Sequence, residues 1–296
     1  MQAENLANTG GLLVNISRLI SPIGLRLPVI LCGLSTTAFA AAAGAAELPQ
    51  KSLVQERVIS VSLFSFYGPK YLGAERYGPF AFPAFDIRRL GEPFALDSPD
   101  DGLGYPVLDT PRLKLGPVVS LRQGRNAGVE HRFTGLDPDP WAIEAGAFAD
   151  YWILPERLRT RAELRHGLRG RDGLALDLSA DLFTRQGAFT LSAGPRLGLL
   201  NATLAQVEFG VSPAASQRNG FFVPYHASGG LQSVGLSSSL SYDWSPVWRT
   251  TFYSRYDHLT GDAAASSITR RLGAVNQFTA GLGITYSFRS NLPFLP

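Results

Sequence analysis

Cysteine is almost missing from this chain. The single one, Cys32, lies in an N-terminal stretch that reads as a removable leader, so the mature protein has no disulfide to stabilise it. Charge is scarce too, with Asp, Glu, Lys and Arg making up 17% of 296 residues. Lys and Arg number 27 against 24 Asp and Glu, with no basic block, so the footprint of a nucleic-acid partner is absent. Beyond the leader no run of 18 or more apolar residues occurs, which excludes a transmembrane helix. The four histidines, His131, His166, His226 and His258, have no metal-ligand spacing among them, and neither a metal nor a cofactor is expected. His226 sits two residues from Ser228, and His258 lies near Asp257 and Asp262; such neighbours are common in polar loops and do not make a nucleophile with its base. The carboxylates Glu144 with Asp150, and Asp177 with Asp181, suit ion pairing with nearby arginines better than glycosidase chemistry. The chain is therefore not expected to be an enzyme.

What is present begins with the leader. Arg18 and Arg26 precede the apolar run Leu27 to Phe39, followed by an Ala-rich segment. A basic region, a short apolar region and small residues before a cleavage point describe a secretory signal peptide. Residues 1–46 are assigned to it and to its processing region, and 47–296 to one domain.

That domain reads as strands. In the last one, Phe278, Ala280, Leu282, Ile284, Tyr286 and Phe288 share one face, and Gln277, Thr279, Gly281, Gly283, Thr285 and Ser287 the other. Similar alternation recurs over 113–122, 141–153, 158–168, 174–182, 189–199, 236–244 and 248–257. Strands of about 10 residues suit a tilted crossing of a bilayer and exceed the usual soluble length of about 5–6. Tight connections near Pro155, Gly187 and Pro246 contrast with long stretches at 124–140, 201–230 and 260–276. Short turns at one end and long loops at the other mark an outer-membrane barrel. The expectation is a transmembrane antiparallel β-barrel of about twelve strands. The segment Leu204–Val211 does not fit the alternation and is expected in an elaborated outer loop or folded inward. Pro117 and Pro195 fall inside strands, where they cannot donate to a ladder, and are expected at bulges.

The charged faces point to a lumenal ion-pair network of Asp150, Arg161, Arg165, Asp177 and Asp181. The tight turn at Pro155 places Asp150 opposite Arg161. For the next hairpin the expected register sets Arg165 opposite Asp177 and Arg161 opposite Asp181. The alternative, Glu163 opposite Asp177, would face two like charges. Arg161 would then lie between two carboxylates.

Six short motifs, in order, resemble the MipA/OmpV outer-membrane proteins: Tyr67-Gly68-Pro69 with Tyr71-Leu72-Gly73, Gly102-Leu103-Gly104-Tyr105, Arg161-Ala162-Glu163-Leu164-Arg165, Phe209-Gly210-Val211-Ser212-Pro213, Gly261-Asp262-Ala263-Ala264, and Asn276-Gln277-Phe278 with Ala280-Gly281-Leu282-Gly283. The resemblance implies a monomeric barrel in the Gram-negative outer membrane, in contact with its lipid. It also implies a scaffold joining a lytic transglycosylase to a peptidoglycan synthase, or an osmolarity- or antibiotic-linked surface protein. A small-solute channel is the alternative. The last strand looks like the signal read by the barrel-assembly machinery, with Gly283, Tyr286 and Phe288 in its positions, although eight residues follow Phe288.

Overall fold

The computed structural model describes residues 57–168 and 172–290; the leader expected over 1–46 lies outside the described residues. Twelve strands run in chain order: β1 (Arg57–Pro69), β2 (Tyr77–Arg89), β3 (Leu103–Gly104), β4 (Leu108–Asp109), β5 (Leu113–Arg122), β6 (Ala142–Leu154), β7 (Leu158–Gly167), β8 (Leu174–Gln186), β9 (Phe189–Leu200), β10 (Gly230–Asp243), β11 (Trp248–Leu259) and β12 (Asn276–Ser290). Among the described residues four short α-helices join them, α1 (Ala202–Phe209), α2 (Pro213–Asn219), α3 (Gly261–Ala265) and α4 (Ser267–Leu272), with one 3-10 turn at His131–Phe133. No helix among the described residues is long and apolar enough to cross a membrane. All pairing is antiparallel, and β12 pairs with β1, Tyr286 opposite Val61. The strand order is β2-β1-β12-β11-β10-β9-β8-β7-β6-β5-β3, with β4 also on β5. The chain is thus a transmembrane antiparallel barrel, nearly closed. β2 at one end of that order shares no ladder with β3 and β4 at the other.

Period-two alternation makes the inside and the outside. On β12, Phe278, Leu282, Ile284, Tyr286 and Phe288 are exposed to lipid, whereas Gln277, Thr285 and Ser287 are buried inside. Aromatic clusters form a girdle at the end with the short turns, where Trp248 meets Tyr286 at 4.8 Å and Tyr242 meets Trp244 at 4.6 Å between ring centroids. A second cluster, Tyr67 with Tyr77, stands at the loop end. From Tyr286 to Phe278 a strand tilted by roughly 40° covers about 20 Å of membrane depth. β12 runs on past Phe288 to Ser290, which pairs with Arg57, so two of the eight trailing residues belong to the ladder.

The prolines mark irregular pairing. Pro117 accepts from the Tyr105 amide at 3.1 Å, where the partner register slips between β3 and β4, so its missing donor falls at the slip. Beside Pro195 the β8–β9 ladder lapses between Ser179 and Leu182. Pro79 and Pro83 lie on β2, whose ladder to β1 is unbroken over its full length. Their missing donors therefore face the unpaired edge, the position where a sheet tolerates proline.

The long loops fold together into a cap. The 204–211 segment is mostly α1, which the Asn201 side chain caps by accepting from the Leu204 amide at 3.0 Å. Ser212 and Pro213 start α2, and Gly220 ends it with φ 71°. Leu204, Phe209, Leu259 and Ala263 form one apolar core of the cap. Tyr71, Phe133, Val211, Phe222 and Ile268 form the other, with Tyr71 and Phe133 rings 5.0 Å apart. Gln277 ties cap to barrel, accepting from the Gly73 amide at 3.2 Å and donating to the carbonyls of Ala74 and Ala274 at 3.1 and 2.6 Å.

Candidate functional site

The lumen between cap and short turns holds a lattice of buried arginines and carboxylates. β6 and β7 place Asp150 opposite Arg161, as the tight Pro155 turn implies, and Arg161 Nη1 lies 2.9 Å from both Asp150 oxygens. The next hairpin corrects the expected register. Glu163 stands opposite Asp177, Arg159 opposite Asp181 and Arg161 opposite Ser179.

The like-charge opposition is absorbed by a third group. Arg165 binds Glu163 and Asp177 together, and its Nε lies 3.1 Å from Glu144. A guanidinium with five donors in a planar fork can serve several carboxylates at once, which a pairwise rule omits. Asp181, expected near Arg161, instead accepts from Arg159 at 2.9 Å and Arg196 at 2.7 Å. Arg161 finds its second carboxylate in Glu163, at 2.6 Å, and its guanidinium lies 4.2 Å from the Phe148 ring centroid. Arg122 binds Glu144 and reaches Glu208 of α1 at 3.1 Å, so the lattice continues into the cap.

The part that sequence reasoning missed is a strap. Between β2 and β3 the chain turns into the lumen and crosses it. Phe94 enters first, its ring 3.9 Å from the Arg88 guanidinium and 3.8 Å from that of Arg249. Asp100 then accepts from Arg196 at 2.8 Å and Arg255 at 3.0 Å, and Asp101 from Arg159 at 2.7 Å. The Gly102 amide donates to Glu163 at 2.9 Å. The strap thus touches β7, β9 and β11. Burial alone would raise the carboxyl of Asp100, but Arg196 and Arg255 hold it well below the usual range. The available signal was compositional: an acidic Asp97–Asp101 run in a chain whose strands carry inward arginines.

The cap has its own carboxylate latch. Asp262 accepts from the Tyr225 hydroxyl at 2.7 Å and from the Ser228 and Gly229 amides at 2.6 and 3.0 Å. Burial, together with the Asp262 hydrogen bond, pushes Tyr225 up to about 12. Although burial works against ionisation of Asp262, these donors keep its carboxyl below the ordinary value. Ser228 is thereby a hydrogen-bond donor in a loop, and His258 is engaged with Asn276 at 2.8 Å. Among the described residues no group of three or more His, Cys, Asp and Glu could hold a metal ion.

Gly283, Tyr286 and Phe288 occupy different surroundings. Tyr286 and Phe288 are at the lipid-facing girdle, 6.2 Å apart. Gly283 faces inward, and a Cβ there would stand 2.3 Å from the Phe64 ring, just as one at Gly281 would stand 2.4 Å from Phe66. Gly283→Ala is therefore expected to lower the folded fraction, read as heat-modifiable mobility, and Phe64→Ala in the same chain to restore most of it. Failure of that rescue would mean that Gly283 matters for something other than ring clearance.

No curated protein matches the chain. Similar solved structures include an outer-membrane channel from Pseudomonas putida F1, 11% identical, covering 82% of this chain and 100% of that one at a TM-score of 0.39. OmpT, an outer membrane protein of Vibrio cholerae, is 8% identical with coverages of 82% and 100% and a TM-score of 0.34. The outer membrane protein OprD from Pseudomonas aeruginosa is 10% identical, with coverages of 80% and 94% and a TM-score of 0.33. Residues 61–288 match the family described as MltA-interacting protein MipA, and that span runs from within β1 nearly to the end of β12. An outer-membrane β-barrel of a Gram-negative bacterium, the chain belongs to the MltA-interacting protein MipA family.

Proposed function

We propose that the protein is a closed, non-enzymatic scaffold barrel that holds envelope partners at its ends and passes no hydrophilic solutes. The observation behind this reading is the strap: Asp100 and Asp101 cross the lumen and pair with arginines on three separate strands. The cap, with its own apolar cores, covers the opposite end. The family's description names an interaction with MltA. By that similarity the partners are a lytic transglycosylase and, through it, a peptidoglycan synthase, which ties the barrel to murein synthesis and remodelling. Outer-membrane lipid surrounds the apolar face, and the barrel-assembly machinery is the partner for the last strand.

Planar-bilayer recording of the purified protein is expected to show no steady conductance. A pull-down from envelope extract is expected to retain a lytic transglycosylase. A stable open channel passing hydrophilic solutes would replace this reading with the small-solute channel, and a pull-down free of murein enzymes would remove the scaffold role.

A further inference from the structure

The scaffold reading leaves one side of the lumen unexplained. A barrel interior is normally polar, yet the inward positions of β1 and β2 carry Phe64, Phe66, Phe80 and Phe82. Their rings form a continuous wall, with Phe66 stacked on Phe80 at 5.2 Å and edge-on to Tyr253 at 5.7 Å. The inward glycines of β12, Gly281 and Gly283, leave the room that Phe66 and Phe64 fill. Beside this wall lies a cavity of about 530 Å³. That volume falls within the range of about 300–1,000 Å³ usual for small-molecule pockets.

The cavity also reaches the seam. Its lining includes Pro83 and Ala84 on β2 and Leu103 and Val119 on β3 and β5, the two unpaired banks. Outside, the banks present an apolar rim to the bilayer, with Phe85, Tyr105 and Val107 between 61% and 77% exposed. Pro79 and Pro83 remove two donors from the β2 edge, which keeps the seam from zipping into a ladder. Within the cavity Tyr253, only 5% exposed, directs its hydroxyl to the Asp100 carboxylate. A phenolic oxygen that donates its proton to a carboxylate still offers lone pairs, so it can accept from the head group of a ligand. Eight carboxylates and six guanidinium groups line the cavity, a balance that opposes an anionic head group.

We propose that this cavity binds a single-chain amphiphile that enters sideways from the bilayer through the seam between β2 and β3–β4. Its apolar body lies against the phenylalanine wall, and a neutral or cationic head meets Tyr253. The proposal is independent of the scaffold reading, because a lumen closed to ions can still fill from the side. Native mass spectrometry of the purified full-length barrel tests it, with dodecylamine, dodecanol and dodecanoate as probes. The amine and the alcohol are each expected at one copy per barrel, with dodecanoate retained at least tenfold less. Ser120→Trp, which fills the cavity from the inward face of β5, is expected to abolish retention. Tyr253→Phe keeps the ring packing and is expected to weaken retention at least fivefold. Equal retention of all three probes, no retention of any, or unchanged retention by either variant overturns the proposal.

Discussion

Asparagine at both Asp100 and Asp101 is expected to turn the closed barrel into a conducting one. The two carboxylates are the strap's anchors on Arg159, Arg196 and Arg255, and each side chain is 11% exposed. Breaking a buried ion pair by removing one partner costs about 3–5 kcal/mol. The Asn amides would add donors facing donors. The strap then leaves the lumen while the strands, whose ladders do not depend on it, stay paired. Steady single-channel conductance at least tenfold above the unaltered protein is expected. A silent double variant with normal heat-modifiable mobility would show that the strap is not the closure. The same anchors fix the pH response. Because the Asp100 carboxyl is held below its unfolded value, its contribution is complete above the ordinary carboxylate pKa. It is lost only as pH falls through the depressed folded value. Opening by acid is therefore expected below the ordinary carboxylate range, with none between pH 5 and pH 8.

The second large effect falls on Arg165. Its guanidinium stands among Glu163, Asp177 and Glu144, and its side chain is 9% exposed. Arg165→Ala leaves Glu163, still held by Arg161, directly opposite Asp177 without the counter-charge they share. A loss of about 1–3 kcal/mol is expected, the scale of a charged hydrogen-bond partner removed from groups that keep other partners or reach solvent. Glu163→Gln in the same chain should recover more than half, because it removes the like-charge opposition while Arg161 still faces Asp150. Urea titration of the refolded barrel in lipid vesicles measures both. A loss below about 1 kcal/mol, the scale of an exposed pair, would mean that water screens the lattice, and absent rescue would mean that repulsion is not the cause.

The strands legible in the sequence are those with unlike faces. From Leu113 to Phe288 one face meets lipid and the other carries charge or small polar groups, so the period of two stands out. β1 and β2 hide because their inward positions hold phenylalanine, and apolar residues on both faces erase the alternation. The strap has no period at all, and its Asp-Ser-Pro-Asp-Asp run reads as a turn. The ion pairs were legible as a population but not in their partners: Asp150 with Arg161 follows from a tight turn, whereas the partners of Asp181 and Arg165 depend on strands distant in sequence. The five-residue to eight-residue helices of the cap are too short to show a period, and their packing comes from several loops at once.

The strap also fixes an order of events in the making of the barrel. Its ties to Arg159, Arg196 and Arg255 span 58, 96 and 155 residues of chain. Contacts so remote in sequence form only after β7, β9 and β11 stand side by side. Until then the inward arginines of those strands face water, and the strap has no seat. The newly paired barrel is thus a wet tube lined by charges of both signs for as long as the last segment takes to find its place. On the proposed reading, the molecule is a pore before it is shut.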